Sequence, residues 1–304
     1  MTSADGTPTW GALLTATTTR LAAAGAESPE VDARRILEEA SGHEGADLLV
    51  ALDTTATAGQ VTALEAMVAR RVAGEPLQYV LGRWPFRWLD LIVDRRVLIP
   101  RPETEQVCEL ALAELDRVLA ERPPSTLDDA AGSSGATVVD LGAGSVAIAL
   151  AVASERPGTD VWAVERSADA AEVCRANVAG LGRAGRRVRV VEGSWFEPLP
   201  ALLRGALAVV VSNPPYVAAD EVLPPIVADW EPTEALVPGP TGLEDLAHLV
   251  ATAPAWLAPN GALVLEIGHR QGDRVAELAR DAGFSQVAVH TDFNGRDRAL
   301  VARP

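Results

Sequence analysis

Six short apolar runs, at residues 137–141, 160–164, 187–192, 207–212, 261–267 and 285–290, recur through the second part of the chain with helix-like segments between them. That alternation constrains the fold most strongly, because strands separated by helix-length segments pair in parallel and need helices over both sheet faces. It predicts an α/β domain with a doubly wound sheet over residues 103–304. A helix over Glu103–Ala120 opens the domain, and a loop over Glu121–Gly135, rich in Pro, Ser, Asp and Gly, precedes the first strand.

Earlier in the chain the period is different. From about Trp10 to Gly74 apolar residues recur at helical spacing: Leu13 and Leu21, then Val31, Ile36 and Leu37, then Val61, Leu64 and Val68. A small helical domain over 1–74 is expected, with Ser28-Pro29-Glu30 as one helix start, Ser at the N-cap and Pro at the first helical position. Between Gly74 and Pro102 the runs Trp88–Val93 and Val97–Ile99, joined by Asp94-Arg95-Arg96, predict a β-hairpin linker over 75–102. A chain of 304 residues that is 48% hydrophobic can fill two cores.

Charge bears on the partner. With 26 Lys plus Arg against 42 Asp plus Glu, the formal net charge is -16, whereas proteins that grip a phosphate backbone carry a basic face. Arg183, Arg186, Arg187 and Arg189 form a local basic stretch, but arginines leading into a strand are more often solvated loop residues, so nucleic acid is disfavoured. The Met1–Trp10 segment lacks the basic and apolar regions of a signal peptide, and no membrane-length apolar run occurs. A cytoplasmic, soluble monomer is expected. Cys108 and Cys174 read as buried thiols, and with only four histidines no metal site is expected.

Val138-Val139-Asp140-Leu141-Gly142-Ala143-Gly144-Ser145 ends a strand in a glycine-rich turn that runs into an apolar helix over Ala147–Ala153. In open α/β sheets ligands collect at such strand ends. Roughly twenty residues on, Glu165 closes the next strand, where a carboxylate can take both ribose hydroxyls. A dinucleotide would need a third glycine where Ala147 stands. S-adenosylmethionine needs no phosphate site, and Asp140 would sit near the loop that holds its amino group. Ser194 and Trp195, in Gly193-Ser194-Trp195-Phe196, would wall the adenine, with core packing as the alternative for the aromatic pair. The predicted cofactor set is Asp140, Gly142, Ala143, Gly144, Glu165, Ser194, Trp195 and Asn213.

Ser212-Asn213-Pro214-Pro215-Tyr216 follows the fourth strand. The prolines fix φ, so the Asn213 side chain and the Pro214 carbonyl present acceptors in a nearly rigid array that suits the two N–H donors of a primary amide or exocyclic amine. Tyr216 offers a ring for a planar group. Asn213, Pro214, Pro215 and Tyr216 are the predicted catalytic loop, and methyl transfer to a planar nitrogen is the predicted reaction; a proline-rich turn with Asn as a helix cap is the plainer reading.

The chain resembles the PrmC/HemK protein-glutamine methyltransferases. The resemblance rests on Gly74-Glu75-Pro76-Leu77-Gln78-Tyr79 with Leu81-Gly82, Val97-Leu98-Ile99-Pro100-Arg101-Pro102-Glu103-Thr104-Glu105, the loop at Asp140, Asn213-Pro214-Pro215-Tyr216, Glu231-Pro232 and Gly295-Arg296-Asp297-Arg298. It implies a seven-stranded Rossmann-like class I S-adenosylmethionine-dependent methyltransferase domain, a helical N-terminal domain and a hairpin linker. The implied substrate is the glutamine of the Gly-Gly-Gln loop in class 1 peptide chain release factors. Asn213 and Pro214 would bind its amide, Tyr216 and Phe86 would pack around it, and Arg101 and Glu105 would support the roof of the site, although an exposed salt bridge also explains that pair. Ribosomal-protein glutamine, an adenine or guanine amine in nucleic acid, and a cofactor-impaired binding protein of the same fold are the alternatives. Two positions depart from the family: Val146 stands in place of glycine, and Ser194 in place of an acid. Val146 is expected either on the first helical turn with negative φ or facing the cofactor, and glycine there is expected to tighten cofactor binding.

Overall fold

The computed structural model describes residues 8–121 and 135–304, so all but the ends of the expected Glu121–Gly135 loop lie outside the described residues. The chain divides into two compact units, Met1–Arg83 with Pro224–Trp230, and Trp84–Leu223 with Glu231–Pro304.

The first unit holds α1 (Trp10–Ala23), α2 (Pro29–Ser41), α3 (Ala46–Ala51), α4 (Ala58–Val72) and α5 (Leu77–Leu81). Helical spacing brings Leu13, Leu21, Ile36, Leu37, Leu64 and Val68 into its core beside Trp10. Val31, 57% exposed, does not join them. Thr57 and Gln60 close a capping box at the start of α4, whereas Ser28 occupies the N-cap of α2 without a side-chain bond. The largely buried pair Asp32 and Arg71, 2.7 Å apart, ties α2 to α4, and losing either member would strand a charge.

α5 departs from the expected hairpin. Pro76 precedes it and Gly82, at φ 75°, ends it. The Arg70 guanidinium donates to Glu75 and to the Tyr79 and Val80 carbonyls at 2.8 and 3.1 Å, which folds the Gly-Glu-Pro-Leu-Gln-Tyr run back onto α4. The paired strands are β1 (Arg83–Phe86) and β2 (Leu89–Ile92), turning at Arg87-Trp88, rather than Trp88–Val93 with Val97–Ile99. Trp88 is 88% exposed, as befits a turn tip. Arg87 takes φ 52°, its N–H donates to Glu105 at 2.9 Å, and its guanidinium is gripped by Glu155 at 2.5 and 2.7 Å. Asp94-Arg95-Arg96 forms a local turn closed by the Val97 N–H on the Asp94 carbonyl at 3.0 Å. The Ile99 N–H bonds Glu231 at 3.2 Å instead of a ladder partner.

The chain continues through α6 (Pro102–Ala120), β3 (Thr137–Leu141), α7 (Ala147–Glu155), β4 (Asp160–Glu165), α8 (Ala168–Gly180), β5 (Val188–Glu192) and β6 (Leu207–Ser212). Then come α9 (Pro225–Ala228), which belongs to the first unit, α10 (Glu244–Thr252), β7 (Leu257–Glu266), α11 (Gly272–Asp281), β8 (Gln286–Thr291) and β9 (Asp297–Arg303). The main sheet has seven strands in the order β5-β4-β3-β6-β7-β9-β8. β3 to β7 run parallel, and β9 runs antiparallel to both its neighbours. Spacing alone marks six of the seven. β9 escapes it because its apolar run, Ala299–Ala302, is only four residues long between Arg298 and Arg303.

This order sets the site. From β3 the chain builds outward through β4 and β5, then returns to place β6 on the other side of β3. The gap beyond the carboxyl ends of β3 and β6 is therefore a topological switch point, where such sheets bind ligands. Leu141 and Ser212 are register partners there, and the buried Ser212 hydroxyl donates to the Leu141 carbonyl at 2.6 Å.

Candidate active site

An open cleft lies over the switch point. Asp140, Gly142, Ala143, Gly144, Glu165, Ser194, Trp195, Asn213 and Pro215 all line it. Pro214, Tyr216 and Phe86 are not among its lining residues, and Phe86 is only 1% exposed.

The glycine loop is held from several sides. The Gly142 and Ala143 N–H groups both donate to the Val164 carbonyl at 2.9 Å. Glu165 accepts the Gly144 N–H at 2.8 Å and the Ser167 N–H at 2.9 Å, one on each carboxylate oxygen. The Cys174 thiol reaches the Gly144 carbonyl at 2.9 Å, and burial pushes its pKa up, so it stays protonated. Asn177 donates to the Ser145 and Ile92 carbonyls, both at 3.0 Å, and accepts the Ile92 N–H at 2.7 Å. One buried amide thus joins the loop to β2, a role that nothing local in the sequence signals.

Val146 resolves differently from both expectations. It takes φ 63°, ψ 25° at the N-cap of α7, so it is not on a helical turn with negative φ. Its side chain is fully buried and is absent from the cleft lining. Glycine suits this position through its backbone freedom, not through close approach to a ligand, and a left-handed residue with a Cβ costs about 1–2 kcal/mol.

Asp140 is buried beneath the loop, and one carboxylate oxygen accepts the Ala149 N–H of α7 at 3.0 Å. Burial pushes its carboxyl up to about 7; the Ala149 N–H opposes this and the Glu165 charge adds to it. On the adenine side the two aromatics divide. Trp195 lines the cleft, and its ring would lie 3.4 Å from a Cβ at Gly142. Phe196 is core, stacked on Trp256 with centroids 5.4 Å apart.

Asn213 leaves β6 at the cleft wall. Its Nδ2 donates to the Thr104 hydroxyl at 3.2 Å, which donates to Glu266 at 2.7 Å. The Tyr216 hydroxyl donates to the other Glu266 oxygen at 3.1 Å and receives Arg298 at 3.5 Å. Burial raises the Glu266 pKa, while Thr104, Arg298 and Tyr216 pull it back. Tyr216 is likewise pushed up by burial and by Glu266, so it remains a phenol that donates.

Among the four arginines of the local basic stretch, Arg187 donates to the Ala153 carbonyl, and Arg189 pairs with Asp160 at 3.4 Å while lying over Trp162. Among the described residues no group of three or more His, Cys, Asp or Glu is arranged to hold a metal, and no helix is long and apolar enough to cross a membrane.

Two family models match the chain, one described as PrmC N-terminal domain over residues 12–82 and one as Methyltransferase small domain over residues 124–230. A release factor glutamine methyltransferase of Bifidobacterium longum is 39% identical over 93% of this chain and 95% of its own length. One from Xylella fastidiosa is 40% identical over 93% of this chain and 96% of its own. The chain belongs to the release factor glutamine methyltransferase family. Among solved structures, the catalytic domain of hMettl16, in complex with MAT2A 3'UTR hairpin 1, aligns with a TM-score of 0.55 at 12% identity. It covers 94% of this chain and 91% of its own, and shares the fold of a methyltransferase.

The run Ile99-Pro100-Arg101-Pro102-Glu103-Thr104-Glu105, one of the motifs shared with the family, has three separate anchors in the structure. Arg101 pairs with buried Glu231, the acid of the Glu231-Pro232 motif. Thr104 joins Asn213 to Glu266, and Glu105 takes the Arg87 N–H. Arg101 and Glu105 therefore have different partners, and the partner of Arg101 is buried.

Proposed function

We propose that this enzyme methylates the side-chain amide nitrogen of the glutamine in the Gly-Gly-Gln loop of class 1 peptide chain release factors, in the cytoplasm, with S-adenosylmethionine as methyl donor. One observation carries the reading. Asn213, on the cleft wall at the end of β6, donates its Nδ2 to Thr104 and keeps Oδ1 for a substrate amide.

The cleft fits the methyl donor. Asp140 and Glu165 supply carboxylates for an ammonium and a ribose, and Trp195 supplies a flat wall. Bound there, S-adenosylmethionine provides an electrophilic methyl group on a sulfonium. The protein's own task is to present a poor nucleophile. Asn213 Oδ1 takes an N–H bond of the glutamine amide, which fixes the nitrogen and draws electron density toward it, while Pro214, buried and away from the cleft lining, holds the loop rigid beside it. Alignment of this kind is worth about 7–11 kcal/mol in favourable cases. Neither Asn213 nor the prolines act as a base, and the surplus proton leaves to water. Tyr216, bonded to Glu266, supports the loop from behind, and Phe86 is buried in the core; neither lines the cleft. A net charge of -16 agrees with a protein loop as substrate better than with a phosphate backbone.

Incubation with labelled S-adenosylmethionine, offering purified release factor and mixed DNA and RNA in parallel, tests the reading. Label on the Gly-Gly-Gln glutamine, located by mass spectrometry, is expected. Label only in nucleic acid would contradict it.

A further inference from the structure

We propose that Thr104 and Glu266 are positioning residues that fix the polarity of the Asn213 amide, and thereby decide which end of a substrate amide faces the methyl donor. The inference rests on the function proposed above.

Glu266 is buried at the end of β7 and receives two hydroxyl donors, Tyr216 on one carboxylate oxygen and Thr104 on the other. A hydroxyl has one hydrogen. The Thr104 hydrogen is committed to Glu266 at 2.7 Å, so toward Asn213 its oxygen can only accept. Only the NH₂ end of Asn213 satisfies an acceptor, and Nδ2 is the atom found 3.2 Å away. Among the described residues Oδ1 has no partner, and it belongs to a residue on the cleft wall.

Polarity matters because a primary amide is nearly symmetric in shape and opposite in hydrogen bonding at its two ends. Its oxygen is the more electron-rich end, and its nitrogen must nevertheless receive the methyl. An acceptor at Asn213 takes the substrate NH₂ and rejects the substrate oxygen; a flipped Asn213 would do the reverse, and an inverted substrate would put the wrong atom in line. Asn213 alone could adopt either orientation at little cost. The Tyr216–Glu266–Thr104 chain removes that freedom, and Arg298 bonds the Tyr216 oxygen, so the phenol hydrogen points at Glu266.

The test is a double-mutant cycle between Thr104 and Asn213, run after wild-type activity on the release-factor glutamine is established. Thr104→Val should lower kcat/KM for the release factor by about tenfold to a hundredfold, with the S-adenosylmethionine Kd unchanged. Thr104→Ser, which keeps the oxygen, should restore most of it. In an Asn213→Ala background Thr104→Val should have little further effect, because no amide is left to orient. If the valine variant does not fold, Thr104→Ala removes the same oxygen without adding a methyl beside Glu266. Full activity without the hydroxyl, or an equal loss with and without Asn213, overturns the proposal. Absence of glutamine methylation by the wild-type enzyme contradicts the functional reading itself, and the positioning role falls with it.

Discussion

Glu165 Oε2 accepts the backbone N–H of Gly144 at 2.8 Å, so the acid read as a ribose ligand also shapes the loop that faces it. Its second oxygen holds the Ser167 N–H at the start of α8. A carboxylate has about four lone-pair positions, which leaves one on each oxygen for a ribose hydroxyl.

Glu165→Ala should therefore weaken S-adenosylmethionine binding by at least the roughly 1.5–3 kcal/mol of hydrogen bonds to a charged acceptor, since it removes the ribose contact and frees Gly144 together. Glu165→Gln, with one acceptor oxygen, should recover only part. Calorimetric titration of the three proteins checks this, and an unchanged Kd in the alanine variant would place the ribose elsewhere.

For Val146 the consequence moves from affinity to stability. Its left-handed backbone costs about 1–2 kcal/mol, and burying a valine side chain returns about 1.5–3 kcal/mol. Alanine at this position keeps the strain and loses the packing, whereas glycine loses the packing and releases the strain. Val146→Gly should thus be more stable than Val146→Ala by about 1 kcal/mol, the reverse of the usual order. Chemical denaturation of both decides it. Their cofactor Kd values should stay near wild type, since the side chain does not line the cleft.

Asp140 predicts a pH dependence with a definite sign. Its folded pKa, about 7, lies above the ordinary value of 3.8. Between those values the folded protein holds more protons than the unfolded chain, so this group's contribution to stability falls as pH rises toward 7. A bound ammonium favours the ionised form. Cofactor affinity should consequently weaken as pH drops below about 7, and Asp140→Asn should bind more weakly at pH 8 while losing that dependence. A wild-type Kd that is flat across this window would remove Asp140 from contact with the ammonium.

Much of this was legible in sequence because it is local. The parallel strands are continuous apolar runs, the glycine turn follows one of them directly, and Asn213-Pro214-Pro215-Tyr216 follows another. What could not be read depends on partners far along the chain. Thr104 and Glu266 are separated by 162 positions and meet only because α6 packs beside β7. In the run from Ile99 to Glu105 the charges of Arg101 and Glu105 are the conspicuous groups, yet the hydroxyl between them is the group bonded to Asn213. The position of the hairpin is hidden for a related reason. Trp88 has high strand propensity, but the turn there is set by Arg87, whose guanidinium Glu109 and Glu155 hold from two other helices. Phe86, named as a wall of the substrate site, is claimed by the core beneath that hairpin.

The most direct measurement on the central claim compares Asn213→Ala with wild type at saturating release factor and S-adenosylmethionine, with cofactor Kd measured on the same preparations. Loss of one oriented polar contact at the reacting group should lower turnover by about 2–4 kcal/mol of transition-state stabilisation, while the Kd stays close to wild type and the thermal melt is preserved. Near-normal turnover in the alanine variant would contradict the assignment of Asn213 as the residue that presents the amide nitrogen.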